Sequence, residues 1–288
     1  IKFYELYEKK INKNYEVEIA FLEGAITRLF SNKNSNAKKI AWVHNDIACV
    51  FGKGMKAKIK KRIDKKIYDK YEKLVFVSKD NLVSFEKAYP TIKNEKQVIY
   101  NYIDKNKILE KAKEEPQEKF QEERINFVTV ARLVEQKGID RLIEVHKKLI
   151  QEGLLHNFYV IGDGPQKEKL QELIKKEKVE ETFKLWGKKE NPYPYIKMAD
   201  YFCLFSKFEG YGMVIEEAKI LNKPILITNT AAKEAVQNYK NYEIAENSSE
   251  GIYQVLKQAL TDTKKEKKEI EEYHNEEVIT EIKKLIEG

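Results

Sequence analysis

Phe208-Glu209-Gly210-Tyr211-Gly212-Met213-Val214-Ile215-Glu216-Glu217-Ala218 decides the reading of this chain: two carboxylates, Glu209 and Glu217, stand eight positions apart around a Gly-Tyr-Gly turn. Gly210 and Gly212 can take positive φ without steric cost, so the backbone is free to turn sharply there. The apolar run Tyr201-Phe202-Cys203-Leu204-Phe205 ahead of the turn reads as a strand, and the run from Met213 onward as a helix. The first amides of such a helix have no partner within it and point into the turn, at the positive end of the helix dipole. Gly210, Tyr211, Gly212, Met213 and Val214 therefore make a candidate anion site, with phosphate the usual guest. Glu209 and Glu217 would repel that anion and are better suited to accept hydrogen bonds from neutral hydroxyls beside it. Phosphate next to a polyhydroxyl describes a nucleotide sugar.

Outward from this run, strand and helix patterns alternate, the arrangement that builds parallel sheets from βαβ units. In the first half, 16–22, 39–43 and 73–77 read as strands, with helices over 55–71 and 79–89. Pro116 and the charged run 111–124 break the pattern and mark a domain joint. A second series starts with Ile125-Asn126-Phe127-Val128-Thr129-Val130, followed by strands near 157–161, 182–186, 200–205 and 224–228, and a fifth near 242–245. The expected division is a first domain over 1–108, a second over 109–264, and an amphipathic helical tail over 265–288.

With 288 residues, 42% of them hydrophobic, the chain can bury two modest cores, and its 35% of charged residues indicates a heavily solvated surface. No apolar run approaches the roughly 18–20 residues of a spanning helix. Cys49 and Cys203 each lie in an apolar stretch and read as buried, reduced thiols of a cytoplasmic protein rather than a disulfide. The charge is uneven: residues 1–108 hold 24 Lys and Arg against 13 Asp and Glu, which leaves 30 against 34 in the remainder. Most of the excess lies in Lys53–Lys66, Lys-Gly-Met-Lys-Ala-Lys-Ile-Lys-Lys-Arg-Ile-Asp-Lys-Lys. A solvated helix face and a surface that meets anionic lipid headgroups at the inner face of a membrane are the two open readings. Nucleic acid is disfavoured, because no helix-turn-helix, RNP or zinc pattern accompanies the stripe.

The pair Glu209-(x)7-Glu217 with Gly-Tyr-Gly inside it resembles the signature of retaining nucleotide-sugar glycosyltransferases of family 4, which have the two-domain GT-B fold. Val130-Ala131-Arg132-Leu133-Val134-Glu135-Gln136-Lys137-Gly138 is similar to that family's Arg-Leu-(x)3-Lys-Gly turn, and Val160-Ile161-Gly162-Asp163-Gly164-Pro165 to its Gly-x-Gly-Pro turn. Leu185-Trp186-Gly187, Lys223–Thr228, Ala41–Asp46 and Val98–Asp104 follow in the family's order, so the resemblance covers residues 15–286. It implies an α/β chain with two Rossmann-like domains whose parallel sheets face across a cleft, and a last helix that crosses back onto the first domain. The family's first domain would carry roughly two further βαβ units upstream, so with Ile1 at its start the N-terminal domain is expected to be incomplete and the chain truncated.

Arg132 and Lys137, five apart at and after a buried strand's carboxyl end, can clamp a diphosphate, Arg as a bidentate fork and Lys as a point charge. A departing nucleoside diphosphate must be neutralised by a metal or by cations. None of the nine Asp residues has another two positions away, so no Asp-x-Asp metal site exists; no metal and no cofactor are expected. As the resemblance implies, Glu217 accepts from the ribose and Glu209 from the transferred sugar, while Glu216 is structural or exposed. Gly162 and Gly164 lack the third glycine of a dinucleotide fingerprint and read as a tight turn beside the nucleotide. Trp186 and Gly187 border the base, with Trp186 as a core residue the other open reading. His44 is, by resemblance, a first-domain contact to the transferred sugar, with Asp46 beside it on the acceptor side. His146, His156 and His274 show no metal-ligand spacing. The expected activity is hexosyl transfer from a nucleotide sugar, UDP-linked in preference to GDP-linked, to a saccharide or lipid-linked saccharide of a cell-surface polysaccharide. A GT-B sugar-nucleotide epimerase and a non-catalytic nucleotide-sugar-binding module are the alternatives.

Overall fold

Runs of β-branched and aromatic residues form two separate all-parallel sheets, one in each of two units of the chain. The structure, a computed structural model, describes residues 15–31, 36–47, 54–121, 123–237, 239–262 and 275–287. One unit comprises Ile1–Tyr102 with His274–Gly288, the other Ile103–Tyr273. Cys49, Lys53 and His274 lie outside the described residues.

The first unit carries β1 (Val17–Ala20), β2 (Lys38–Val43), β3 (Lys73–Phe76) and β4 (Glu95–Val98) in that spatial order, every pair parallel. Helices α1 (Ala25–Ser31), α2 (Met55–Tyr68) and α3 (Lys79–Ala88) connect them. Its core gathers Ala41, Val43, Leu74, Phe76, Phe85 and Tyr68. The α3 N-terminus is capped by Ser78, whose side chain accepts from the Asn81 amide at 3.0 Å. Two elements here, α1 and β4, go beyond the expectations from sequence. The β4 residues Glu-Lys-Gln-Val carry no strand signal, and β4 forms the sheet's edge by pairing with β3 alone. The final described helix, which follows the first nine helices in numbering as α10 (Asn275–Glu287), belongs to this unit. Its Leu285 is buried, and the Leu285 carbonyl accepts a 3.1 Å hydrogen bond from Lys38 Nζ at the start of β2.

The second unit begins with α4 (Lys105–Lys111), which packs against α7 (Tyr193–Met198) and α8 (Met213–Ile220). Its six strands are β5 (Ile125–Val130), β6 (His156–Ile161), β7 (Phe183–Gly187), β8 (Tyr201–Leu204), β9 (Ile225–Thr228) and β10 (Tyr242–Ala245). They line up in the order β10-β9-β8-β5-β6-β7. Helices cover both faces, so the central strands read as nearly continuous apolar runs instead of alternating ones. Helix α5 (Ile139–Gln151) buries Ile139, Leu142, Ile143, His146 and Leu149 at helical spacing against Phe127, Phe158 and Phe183. Helices α6 (Lys167–Glu177) and α9 (Ser249–Thr261) flank it. From β5 the chain winds outward through β6 and β7, then returns to β8 on the other side of β5 and winds the opposite way. That reversal makes the carboxyl ends of β5 and β8 the sheet's switch point, where two loops diverge and leave room for a ligand.

Within this unit His146 and His156 are both fully buried. His156 Nδ1 lies 2.8 Å from the Leu154 carbonyl, His156 Nε2 lies 2.8 Å from His146 Nδ1, and His146 Nε2 lies 2.8 Å from Thr182 Oγ1. Neutral rings satisfy every partner: Nδ1–H of each ring donates, and His146 Nε2 accepts from the Thr182 hydroxyl. Burial holds His146 well below the ordinary histidine value and pushes His156 down to about 4. The pair is a structural hydrogen-bonded chain.

Candidate active site

The turn that follows β5 and the turn that follows β8 are tied together by backbone and side-chain hydrogen bonds. A short 3-10 turn, Glu135–Lys137, follows β5, and Gly138 ends it in the left-handed region at φ 62. The Lys207 amide donates to the Gln136 carbonyl at 2.7 Å, and Gln136 Nε2 donates to the Phe208 carbonyl at 2.9 Å. Arg141, one turn into α5, donates to the Phe205 carbonyl at 2.8 Å. A side chain at Gly138 would place its Cβ 2.8 Å from that same carbonyl, so glycine is required for this close approach. Loop 205–209 is thereby held rigidly against the turn that carries Lys137.

These constraints bring two of the candidate site residues, Lys137 and Glu209, into contact. The Lys137 ammonium donates to Oε1 of Glu209, and Ser206 Oγ donates to the same oxygen at 2.5 Å. Ser206 is itself fixed, since its carbonyl accepts from Thr228 Oγ1 at 2.6 Å. Glu209 is only 6% exposed. With both donors on Oε1, the other carboxylate oxygen is left to accept from a further hydroxyl. Arg132, at the strand end, is exposed and has no ion-pair partner among the described residues.

Downstream, Gly212 sits at φ 79 and starts α8, while Gly210 and Tyr211 are buried. In the first turn the Ile215 amide already bonds to the Gly212 carbonyl at 2.8 Å. The Tyr211 hydroxyl donates to Glu216 at 2.6 Å, and Lys219 closes on the other Glu216 oxygen at 2.9 Å. Glu216 is therefore buried and structural. Glu217, on the adjoining helix position, is half-buried. Its carboxyl is pushed up to about 7 by burial, a rise moderated by the Tyr193 hydroxyl 3.5 Å away.

The Gly162–Gly164 turn after β6 packs on the backbone of the β5 turn. The Leu133 amide donates to the Asp163 carbonyl at 3.0 Å, and the Gly162 amide to the Gly187 carbonyl at 2.8 Å. A Cβ on Gly162 would stand 1.9 Å from the Ala131 carbonyl oxygen, and one on Gly164 2.5 Å from that of Leu133. Trp186 packs into an aromatic cluster, with ring centroids 4.3 Å from Tyr159 and 5.2 Å from Phe120. Gly187 beside it takes φ 72 with open space around it.

The first unit carries His44 and Asp46 just past β2. The His44 amide donates to Glu23 at 3.1 Å, and the Asn45 side chain donates to the same carboxylate. Burial lowers the His44 imidazole below its ordinary value, opposed by the Glu23 charge. Its Nε2 is buried without a hydrogen-bond partner among the described residues. Asp46 accepts a 2.5 Å hydrogen bond from Ser84 Oγ.

The sequence reading passed over Ser206, Tyr193, Gln136 and Glu23. Ser206 immediately follows the strand Tyr201–Phe205, a position where small polar residues often bind; Tyr193 and Glu23 carried no local signal. Among the described residues no three His, Cys, Asp or Glu side chains gather as a metal site, and no helix is long and apolar enough to cross a membrane.

Two parallel-sheet α/β units with this second-unit topology define the GT-B glycosyltransferase fold. The crystal structure of HepE from Anabaena in complex with UDP-glucose superposes with a TM-score of 0.70 at 16% identity, over 91% of this chain and 72% of that one. Residues 110–276 match the family "Glycosyl transferases group 1", and the chain belongs to it. An uncharacterized glycosyltransferase of Methanocaldococcus jannaschii is 29% identical over 209 residues, 71% of this chain and 51% of that protein. An N-acetylgalactosaminyltransferase of Campylobacter jejuni, named for a diphospho-undecaprenol substrate, is 26% identical over 282 residues, covering 92% of this chain and 73% of its own length. The chain thus spans about half the length of the archaeal relative.

Proposed function

We propose that this chain transfers a hexosyl unit from a UDP-sugar to a saccharide or lipid-linked saccharide, with retention of configuration, as a family 4 enzyme. The observation that carries the reading is Glu209: one oxygen held by Lys137 and Ser206, the other left to a sugar hydroxyl, at the sheet's switch point and one glycine turn from a helix N-terminus. Arg132 and Lys137 neutralise the diphosphate, assisted by the first amides of α8, and they take the place of a metal. Glu217 accepts from the ribose. Gly162 and Gly164 let the backbone approach the nucleotide, and Gly187 leaves room for the base beside Trp186. In the transfer step the anomeric C–O bond to the diphosphate breaks and the acceptor oxygen bonds to the same face. The acceptor's proton passes to the departing phosphate oxygen. The UDP-glucose named with the HepE structure and the diphospho-undecaprenol named with the Campylobacter relative support the donor and the acceptor class. On this reading the enzyme works at the inner face of a membrane, with the basic Lys53–Lys66 stretch toward anionic lipid.

Calorimetry with free UDP and with a UDP-sugar tests the roles. Glu217→Ala weakens both ligands alike, because ribose is common to them. Glu209→Ala spares UDP and weakens the UDP-sugar or its turnover. Indistinguishable behaviour of the two variants refutes the assignment, and release of free sugar or of an epimerised nucleotide sugar in place of a glycoside refutes transfer.

A further inference from the structure

One polar pair in the second unit has acceptor positions that the protein itself does not fill. The Tyr193 hydroxyl donates to Oε1 of Glu217 across 3.5 Å. Both side chains are half-buried, and among the described residues neither side chain has a second hydrogen-bond acceptor or donor at this end. The phenol's one proton is committed to the carboxylate. What remains is acceptors alone, the lone pairs of the phenolic oxygen and Oε2 of Glu217. A ligand that completes the pair must therefore bring two donors. An anion brings none, and a single hydroxyl fills only one place; a vicinal diol presents two O–H groups side by side. The pair is also held rigidly. Pro192 and Pro194 flank Tyr193 and restrict the backbone on either side of it. The Tyr193 amide donates to Asn191 Oδ1 at 3.2 Å, and Asn191 Nδ2 donates at 2.8 Å to the Lys111 carbonyl and to Glu114. The start of α7 is thereby tied to the end of α4, and both helices pack on α8, which carries Glu217. Residues 188–192 lead to Tyr193 from Gly187, the open turn at the end of β7.

We propose that Tyr193 is a specificity residue for the nucleotide: with Glu217 it reads both hydroxyls of a ribose, one on the phenolic oxygen and the other on Oε2. This rests on the ribose role proposed above for Glu217 and divides that role between two side chains. In the complex one ribose hydroxyl donates to the phenol, and the phenol donates to the carboxylate. Each bond in such a chain polarises the next, and the carboxylate anchors its end. A nucleotide that lacks one of the two hydroxyls leaves a half-buried acceptor unpaired, which costs more than the missing bond alone. The pair therefore selects ribonucleotides against their deoxy analogues. A carboxylate acting by itself would take both hydroxyls on its own two oxygens, with the tyrosine only tuning it. The two arrangements differ in what removal of the phenolic oxygen does.

Calorimetry of the full chain with UDP, 2′-deoxy-UDP and 3′-deoxy-UDP at pH 8, where Glu217 is largely ionised, tests it. The wild type binds UDP more tightly than either deoxy analogue, by about threefold or more in each case. Tyr193→Phe keeps the ring and its packing and removes only the phenolic oxygen. A change in the ionisation of Glu217 weakens all three ligands by one common factor, so the comparison is made between ligands within each variant. In Tyr193→Phe one of the two preferences disappears and the other is retained, because the phenol and its ribose hydroxyl are two ends of one bond. Retention of both preferences overturns the proposal and leaves Glu217 as the ribose contact. Loss of both overturns it too, since Tyr193 then acts only through Glu217. A wild type that binds UDP without preferring it to either analogue refutes the ribose role of Glu217 itself, and absence of UDP binding refutes the donor site. Failure of the shared reading is thus a different result from failure of the function on which it rests.

Discussion

Nucleotide-sugar affinity should fall as pH falls through neutrality, and Glu217 should be the cause. Burial holds its carboxyl at about 7 in the free protein. If the carboxylate accepts from ribose hydroxyls, only the ionised form binds well. About nine-tenths of the residue is ionised at pH 8 and about one-tenth at pH 6, so the apparent affinity drops about tenfold, or about 1.4 kcal/mol, across that interval. The ligand for the assay is a UDP-sugar, whose esterified diphosphate does not titrate in this range, and calorimetry across pH gives both the affinity and the protons released on binding. Glu217→Gln should bind more weakly at pH 8 and lose the slope. Tyr193→Phe removes a hydrogen bond that favours the carboxylate. Its midpoint should move up, and the loss of affinity should begin at higher pH. A flat profile, a rise toward low pH, or a wild-type slope retained by Glu217→Gln refutes the role given to this carboxylate.

Three further outcomes follow from the same geometry. Arg132→Ala and Lys137→Ala should each weaken UDP binding by about 1.5–3 kcal/mol, and chelators should leave it unchanged; Lys137→Ala alone should also lower the melting temperature, because it strands the buried Glu209 while Arg132 is exposed. Gly164→Ala should cost about 1–3 kcal/mol of stability by differential scanning calorimetry and reduce UDP affinity, since the new methyl meets the Leu133 backbone at 2.5 Å; wild-type behaviour would refute the close packing of the two turns. The His146–His156 pair makes stability fall in acid. Both rings sit below the ordinary histidine value, so the unfolded chain binds more protons, and stability present above pH 6.5 is lost as pH falls toward about 4. Thr182→Val should cost about 1–3 kcal/mol at pH 7 by leaving His146 Nε2 unpaired, measured by denaturant unfolding.

The turns that make up the candidate site were legible in the sequence because they are local. Gly-Tyr-Gly between an apolar strand and a helix start is a short-range pattern, and so is a cation pair after a strand. In a parallel sheet, residues just past strand ends collect at one edge whatever the strand order. Strand order itself, and with it the switch point between β5 and β8, came from tertiary pairing. Only the fold could join Lys137 to Glu209 across 72 positions or lay Tyr193 against Glu217. Hydrogen-bond partners this far apart leave no periodicity to read. The polar β4 forms because β3 offers it an unpaired edge, a demand set by its neighbour and not by its own residues. Trp186 and Glu216 show the same division: each lies in a recognisable motif, yet the structure engages Trp186 with Phe120 and Tyr159, and Glu216 with Tyr211 and Lys219. In α2 the period four places Met55, Ile59 and Ile63 together, but periodicity tells which side chains share a face and not which way that face turns. The ion pair of Asp64 with Arg28 and the packing of Tyr68 turned it outward, and both depend on contacts with distant parts of the chain.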